Sequence, residues 1–568
     1  MIPERYHCIK QIIRLLLYNN DIIIETYTYM LVCSRISMLY SWTSTDLLPL
    51  AILFIVLLLS EIRNSWWRKF TKFSGVRVER SGNQGGADIV RNREEVAPGP
   101  LALPIIGTRW IYYYRYKLSK VHEAYADLFR RYGGIVREEA FWNIPVINIV
   151  SRDDIEKVLR HSSKYPVRPP TEVTVHYRSS RPDRYTNLGL INEQGETWHR
   201  LRTLLTPELT SSKTMHRFLP ELILVADDFS RLVMNSRDSS NGLVRDFDQL
   251  ACRIGLESTC TLILGKRLGF LEMEVSPLAG RLADAVKDQF CASRDTFFGL
   301  PFWKIFPTPA YKKFMASEDA IYDIISEMVD SAKKQEEDTC HMDDGMQTVF
   351  MAILRAPGLD IRDKKAGIID FIAAGIKTLG NTLVFLLYLM AKNRDCQQRL
   401  FDEISTLAPN GAALDSSTLR NAHYLKACIM EAFRILPTAP CVARILETDM
   451  QLSGYHLKPG SVILCHTWLA CLDDGNFSEA KEFRPERWLA NDGSCSTGHL
   501  HPFLVVPFGV GRRMCPGKRF VELELQVVLA LMVRQFEIDY DGELELEFEF
   551  LLAPKSPVNF TFKERISI

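Results

Sequence analysis

FGVGRRMCPG, residues 508–517, is the most informative stretch of this 568-residue chain. Five of its positions follow the pattern F-x-x-G-x-R-x-C-x-G, namely Phe508, Gly511, Arg513, Cys515 and Gly517. Glycines let backbone amides approach a sulfur closely, and amides and nearby cations stabilise a thiolate. The apolar run from Arg519 to about Val533 predicts a helix whose N-terminal dipole acts in the same direction.

A cysteine thiolate in such a loop is a known ligand of heme iron, and it favours cleavage of the oxygen–oxygen bond. The alternative is one more buried cysteine in a tight turn. Five matched positions and the strand–loop–helix context favour ligation of heme b iron by Cys515.

A second unusual stretch is FIAAGIKTLGNT, residues 371–382, in the middle of a long apolar run. It is predicted to be helical, although it contains Gly375 and Gly380. Glycine costs about 1 kcal/mol in a helix interior, so two of them indicate a packing or functional reason. Lys377 and Thr378 are the polar residues at its centre.

Composition excludes several classes of function. Lys plus Arg equal Asp plus Glu at 69 each, so no net positive charge favours nucleic acid, and no nucleic-acid-binding motif occurs. Thirteen cysteines are scattered without a C-x-x-C. This argues against a disulfide framework or a zinc site, and for a reducing compartment.

The N-terminus precedes the main domain in two pieces. Residues 1–73 are predicted to be a targeting or membrane-anchor region, because the uncharged run of residues 47–59 is followed by basic residues and two tryptophans. That run is shorter than the roughly 20 residues of a membrane span, so a removable targeting segment is the alternative. Residues 74–97 are predicted to be a flexible linker.

Residues 98–568 are predicted to form a single large domain, mainly α with small β-sheets. Helical patterns dominate up to about residue 435, for example in residues 151–161, 218–233 and 319–335. After Pro437 the chain alternates in short β-like runs interrupted by Gly and Pro.

The loop resembles that of the cytochromes P450, the heme-thiolate monooxygenases, and four further elements agree with that family in order. These are the P-G-P segment at residues 98–100, WHRLR at 198–202, MEAFR at 430–434 and FRPERW at 483–488. The resemblance covers roughly residues 98–557, and it implies a single large heme domain.

The resemblance also implies a role for each matched residue. Cys515 would be the axial iron ligand, and heme b the cofactor. Cofactor binding would further involve Phe508, Trp198, Arg202, Arg444 and Arg513. A buried structural network would join Glu431, Arg434 and Arg487.

Family members carry A/G-G-x-D/E-T in the helix over the oxygen side of the heme. Ala374, Gly375 and Thr378 match this motif, and they are the candidate catalytic residues. Lys377 departs from it, because it replaces the acid. Either Lys377 pairs with a neighbouring carboxylate or reaches water, or a lysine of lowered pKa relays protons in place of the acid.

The paired bases Lys518 and Arg519 resemble the mitochondrial branch, which takes electrons from a ferredoxin. Lys426 matches a ferredoxin-contacting lysine of that branch, but Met430 stands where a second base is usual. A microsomal reductase is therefore the alternative donor. The protein is expected at a membrane surface, either the mitochondrial inner membrane or, as the apolar run at 47–59 favours, the endoplasmic reticulum.

Within that branch the chain resembles the arthropod ecdysone 20-monooxygenases, through the long runs 165–173, 177–202, 293–311 and 370–389. This resemblance implies that O2 and an ecdysone-like steroid are the substrates, and that ecdysone becomes 20-hydroxyecdysone. Three alternatives remain open: hydroxylation of another sterol or lipid, a heme-thiolate isomerase that needs no reductase, and a non-catalytic carrier of lipid or heme.

Overall fold

The long apolar run around residue 375 forms one helix, Ile361–Lys392, at the centre of the structure. The computed structural model describes residues 96–161, 163–274, 277–338, 348–409, 412–490, 492–495 and 501–565. In this part of the chain the helices are α1 Ile111–Tyr114, α2 Val121–Tyr132, α3 Arg152–Arg160, α4 Glu172–Ser179, α5 Gly189–Asn192, α6 Gly195–Leu205, α7 Pro207–Thr210, α8 Ser212–Ser236, α9 Phe247–Leu264, α10 Pro277–Phe298, α11 Pro309–Asp338, α12 Thr348–Arg355, α13 Ile361–Lys392, α14 Arg394–Leu407, α15 Ser416–Asn421, α16 His423–Ile435, α17 Thr467–Cys471 and α18 Lys518–Gln535.

The strands form four small sheets among the described residues. A four-stranded sheet has the order β1-β2-β7-β4, in which only the β2–β7 pair is parallel. A three-stranded sheet has the order β3-β11-β8, and β5–β6 and β9–β10 are separate antiparallel pairs. The strands are β1 Ile135–Glu139, β2 Pro145–Ile149, β3 Leu243–Val244, β4 Val442–Ile445, β5 Met450–Leu452, β6 Tyr455–Leu457, β7 Val462–Cys465, β8 Phe536–Asp539, β9 Leu546–Phe548, β10 Leu552–Pro554 and β11 Phe560–Glu564. The predicted class, mainly α with small β-sheets, is confirmed.

Helix α13 is long and apolar enough to cross a membrane, but most of its residues are buried inside the fold, as in a core helix. Its glycines serve a close crossing with α9. A Cβ on Gly375 would lie 2.2 Å from Thr259 Oγ1, and one on Gly380 would lie 3.0 Å from the Ala251 carbonyl oxygen. Both glycines of the predicted helix therefore have a packing reason.

A buried ionic network joins α16 to the segment that follows α17. Arg434 donates to both carboxylate oxygens of Glu431, at 2.8 and 2.7 Å, and neither side chain is exposed. Arg487 Nε and Trp488 Nε1 also donate to Glu431, at 3.2 and 2.9 Å. The remaining guanidinium hydrogens of Arg434 reach backbone carbonyls, including that of Cys471 at 2.9 Å. The structure thus brings together the three residues that the sequence assigned to a structural network.

A second buried polar network lies beneath the four-stranded sheet. His466 Nε2 lies 2.8 Å from Asn148 Oδ1, and Asn148 Nδ2 donates to Glu138 Oε2 at 2.8 Å. Tyr112 donates to the other oxygen of Glu138 at 2.7 Å. Burial lowers the pKa of His466 to about 3, so the folded protein holds this imidazole neutral.

We expect this histidine to make the folded state sensitive to acid. A histidine in the unfolded chain has a pKa of about 6.5. Between that pH and about 3, the unfolded chain therefore binds a proton at this position, whereas His466 in the folded protein does not. Stability therefore falls as the pH falls through this window, by up to about 1.4 kcal/mol per pH unit for one proton. Chemical unfolding at several pH values checks this: His466→Gln should flatten the profile, whereas His456→Gln, at an exposed site, should not. Equal slopes in the wild type and His466→Gln would contradict it.

The predicted anchor region, residues 1–73, lies outside the described residues, as does most of the predicted linker, residues 74–97. The described chain begins at Val96, and the described residues from there onward belong to one compact unit.

Candidate functional site

A backbone hydrogen bond closes the loop that carries Cys515. The Cys515 N–H donates to the Phe508 carbonyl oxygen at 2.9 Å. Gly509 and Gly511 have φ angles of 70° and 68°, a conformation that favours glycine. The chain then turns through a short 3₁₀ helix, Gly511–Arg513, and α18 begins three residues after the cysteine. Cys515 is thus held at the entrance of a helix, as its sequence context predicted. The strand expected before the loop is not formed, because residues 501–510 adopt turns and irregular backbone.

The environment of the Cys515 sulfur combines burial with hydrogen-bond donors. Burial raises the pKa of the thiol above its ordinary value. The backbone N–H groups of Gly517 and Lys518 hydrogen-bond the sulfur and act in the opposite direction, as does the charge of Arg202. Because metal binding requires the deprotonated thiol, these donors suit a sulfur that becomes a thiolate when it ligates iron.

Arg513 is fixed by hydrogen bonds on one side and an aromatic ring on the other. Its guanidinium donates to the Pro166 carbonyl oxygen at 2.9 Å, to the Glu193 carbonyl oxygen at 2.7 Å and to Gln194 Oε1 at 2.7 Å. Its Cζ lies 4.0 Å from the ring centroid of the buried Trp198. One nitrogen, Nη1, is buried without a hydrogen-bond partner.

Four arginines share this region, and none of them forms an ion pair within the described residues. Burial, and after it the charges of neighbouring guanidiniums, including Arg202 and Arg444, lower the pKa of Arg513 to about 9 and that of Arg168 to about 10. The carboxylate of Glu193 offsets this only in part for Arg513. Clustered, partly desolvated cations need an anionic partner. The two propionates of heme fit this need, so the residues present suit the cofactor.

Arg168 is a candidate cofactor-binding residue that the sequence interpretation missed. Its side chain donates to the Ile191 carbonyl oxygen through Nε and Nη2, at 3.2 and 3.0 Å. The signal was present in YPVRPP, residues 165–170, where an arginine stands between prolines that hold the chain extended. Only the fold brings it to Arg202, Arg444 and Arg513.

Helix α13 presents one accessible face in its middle. Ala374 is exposed and Thr378, one turn later, is half-buried, whereas Ile372, Ala373 and Ile376 are buried. Thr378 Oγ1 donates to the Ala374 carbonyl oxygen at 2.6 Å, which leaves the hydroxyl oxygen free to accept a hydrogen bond. A small residue and a hydroxyl on the same accessible turn provide a place for a small polar ligand.

The glycine of the predicted motif lies on a different side of the helix. Gly375 faces Thr259 of α9, whose hydroxyl is buried without a partner. Its absent side chain thus permits helix packing, which is one of the two reasons that the sequence indicated for a glycine in this helix interior.

Lys377 is buried and forms an ion pair. Its Nζ lies 3.5 Å from Glu549 Oε2, and the two side chains are 11% and 4% exposed. Burial acts to lower the pKa of Lys377, but the neighbouring groups Cys252, Glu549 and Asp248 act in the opposite direction, and the net shift is upward. The proton-relay hypothesis required a lowered pKa and is wrong on this point. Pairing with a carboxylate accounts for the lysine.

The Cys515 loop and α13 are connected through α16. Phe508 packs edge-on against Phe433 of α16, with ring centroids 5.2 Å apart. Phe433 and Thr382 both line a small void between α13, α16 and α18. Thr382 lies one turn beyond Thr378, so the cysteine loop and the accessible turn of α13 adjoin the same part of the core.

The cytochrome P450 family model matches residues 97–562. The chain therefore belongs to the cytochrome P450 family, and it is an oxidoreductase that binds heme through a cysteine thiolate.

The relatives include an ecdysone 20-monooxygenase of Drosophila melanogaster, which is 47% identical over 83% of this chain and 88% of its own. Cytochrome P450 302a1, mitochondrial, also of Drosophila melanogaster, is 30% identical over 74% of this chain and 84% of its own. Cytochrome P450 CYP12A2 of Musca domestica is 31% identical over 72% of this chain and 80% of its own. The predicted family, enzyme class and heme cofactor are confirmed.

Proposed function

We propose that this monooxygenase hydroxylates ecdysone to 20-hydroxyecdysone. The observation that carries the proposal is the 47% identity to an ecdysone 20-monooxygenase, which extends over 83% of the chain. The balanced reaction consumes ecdysone, O2, NADPH and a proton, and yields 20-hydroxyecdysone, water and NADP⁺. Another sterol or lipid is the alternative substrate.

The residues that would hold the heme are Cys515 at the iron and four arginines at the propionates. When bound, the heme supplies the activation of oxygen and the oxidation of the C–H bond. Trp198 contributes by fixing the Arg513 guanidinium against its ring. The arginines are Arg168, Arg202, Arg444 and Arg513.

Thr378 is the residue that would position the water from which the required proton comes. Its hydroxyl donates to the Ala374 carbonyl oxygen and can accept from a water or a substrate oxygen on the same accessible turn. The buried Lys377 ammonium is engaged by Glu549, so Thr378 and water are left as the proton-handling groups of this turn.

Replacement of Thr378 by alanine should uncouple electron use from hydroxylation. We expect the yield of hydroxylated steroid per NADPH to fall several-fold while hydrogen peroxide rises, because alanine lacks the hydroxyl that positions the source of the proton. Assays of NADPH, peroxide and product check this. Thr378→Ser retains the hydroxyl and is the matched control. Wild-type coupling in Thr378→Ala would contradict a proton-handling role.

A ferredoxin is the proposed electron donor, with a microsomal reductase as the alternative. The support is a set of basic residues near the cysteine loop and the names of the mitochondrial relatives. Arg512 and Arg519 are exposed, and Lys518 is 40% exposed beside Glu522. Such a surface steers an acidic partner. Lys426 contributes less than expected, since its Nζ donates to the Arg420 carbonyl oxygen at 2.7 Å.

Reconstitution with each donor separates these two possibilities. Purified protein, ecdysone and NADPH are incubated with ferredoxin and its reductase, or with the microsomal reductase. The steroid products of each incubation are then identified by mass spectrometry. We expect 20-hydroxyecdysone in the ferredoxin arm. Product in the microsomal arm alone would overturn the donor assignment, whereas a rearranged steroid of unchanged mass, formed without any reductase, would favour the isomerase class.

Attachment to the mitochondrial inner membrane is proposed, with the endoplasmic reticulum as the alternative. Large apolar side chains are exposed on the domain: Tyr114 is 88%, Ile305 72%, Leu101 70% and Trp142 63% exposed. The Leu300 N–H donates to Tyr113 Oη at 3.1 Å. This hydrogen bond joins the chain segment that contains Tyr114 to the segment that leads to Ile305. Apolar residues of this size suit a lipid surface. Subcellular fractionation with protease protection distinguishes the two membranes.

A further inference from the structure

The partner of Lys377 lies at the tip of a hairpin near the C-terminus. Glu549 follows β9, is buried, and donates its N–H to the Leu551 carbonyl oxygen at 2.8 Å, which closes the turn to β10. Lys287 of α10 approaches the same carboxylate at 3.9 Å, but it is 40% exposed. The buried lysine of α13 is thus the closer cation to this tip.

The same hairpin is tied to α13 on the other side of Thr378. The Asn381 side chain donates to the Leu552 carbonyl oxygen at 3.3 Å, and the Leu552 N–H donates to the Thr438 carbonyl oxygen at 2.9 Å. Thr438 and Thr382 share a hydroxyl hydrogen bond of 2.7 Å, and Thr382 donates to the Thr378 carbonyl oxygen at 2.7 Å. The hairpin is therefore fixed to the helix both before and after the accessible turn.

The hairpin also contacts α10. Phe550 packs against Phe297 with ring centroids 5.6 Å apart, and Phe548 packs against Phe298 at 5.9 Å. Arg294 donates to the Phe548 carbonyl oxygen at 2.9 Å. Any displacement of the tip would therefore change the spacing between α10 and the Thr378 turn.

We propose that Lys377 is a positioning residue: with Glu549 it clamps the C-terminal hairpin to α13 beside Thr378 and thereby fixes where the steroid side chain meets oxygen. The part that concerns the steroid rests on the proposed function. The clamp itself rests on contacts within the chain alone.

The clamp explains why a lysine stands where the family motif has an acid. A carboxylate at position 377 would face Glu549 across the same buried gap, and buried like charges repel strongly. The other ionisable groups around the ammonium are Cys252 and Asp248 of α9 and the more distant Lys287 of α10. The positive charge of lysine therefore matches the carboxylates that surround this position.

Hydrogen–deuterium exchange of the heme-loaded, steroid-free protein tests the clamp without a substrate. We expect Lys377→Met and the milder Glu549→Gln to speed amide exchange in residues 544–556 by about tenfold, because the tip loses a buried attachment. The charge swap Lys377→Glu with Glu549→Lys should restore much of the protection. Lys313→Met, which breaks an exposed ion pair with Asp288, is the matched control and should leave exchange unchanged. Wild-type exchange in both Lys377→Met and Glu549→Gln would overturn the clamp.

Turnover with ecdysone tests the consequence for the substrate. In Lys377→Met we expect KM to rise several-fold and a second hydroxylated product to appear, with an unchanged solvent isotope effect on kcat. A larger isotope effect with wild-type KM and a single product would overturn the positioning role in favour of proton transfer. If the wild type leaves ecdysone unchanged, the proposed substrate fails, whereas the exchange experiment still decides the clamp.

Discussion

Cys515→Ala is expected to abolish the absorption band at about 450 nm that thiolate ligation gives to the reduced, carbon monoxide-bound protein. Turnover should fall to background in the same preparation, because the loop of residues 508–517 contains no second thiol that could replace the sulfur. The backbone N–H groups of Gly517 and Lys518 hydrogen-bond this sulfur, and an alanine leaves them without an acceptor. Carbon monoxide difference spectroscopy, with heme content measured in parallel, makes the test.

The matched control is Cys291→Ala, a half-buried cysteine on α10. It should retain the band and the heme. A normal band in Cys515→Ala would show that another residue ligates the iron. It would contradict the assignment of Cys515, and of the loop around it, to the heme site.

Arg434→Ala is expected to be the most destabilising replacement outside the heme site. It leaves the Glu431 carboxylate buried without its bidentate partner, and it removes the donor of the Cys471 carbonyl oxygen. Breaking a buried ion pair typically costs about 3–5 kcal/mol. That is a large share of the roughly 5–15 kcal/mol by which a domain is stable. We therefore expect little soluble holoprotein, and a much lower unfolding midpoint in what is recovered.

Chemical denaturation followed by circular dichroism measures this loss. Lys555→Ala breaks an exposed pair with Glu545 and should leave the midpoint nearly unchanged, since exposed pairs contribute little. Glu431→Gln keeps the shape and should be milder than Arg434→Ala. A midpoint of Arg434→Ala equal to that of Lys555→Ala would contradict a structural role for the network.

Much of the fold was predictable because its signals are local. The apolar period of residues 361–392 and the turn residues after Pro437 report directly on nearby backbone. Resemblance to a family located Cys515, Thr378 and the network around Glu431. Their spacing alone would not have done so, because a pair such as Glu431 and Arg434 occurs on many exposed helices.

The rest of the site depends on contacts that join distant parts of the chain. Arg168 and Arg444 are 276 positions apart in sequence, so no periodicity links them to one cation cluster. The role of Gly375 depends on Thr259 of another helix. The partner of Lys377 lies in a hairpin near the C-terminus. In each case the tertiary structure supplies the neighbour, and the neighbour defines the role.

Turnover under ¹⁸O₂ is the most direct test of the proposed function. Purified heme-loaded protein is incubated with ecdysone, NADPH, ferredoxin and its reductase, and the steroid is analysed by mass spectrometry with fragmentation of the side chain. We expect 20-hydroxyecdysone that carries one ¹⁸O atom on the side chain. Recovery of unchanged ecdysone, or of label on the steroid rings instead, would contradict it.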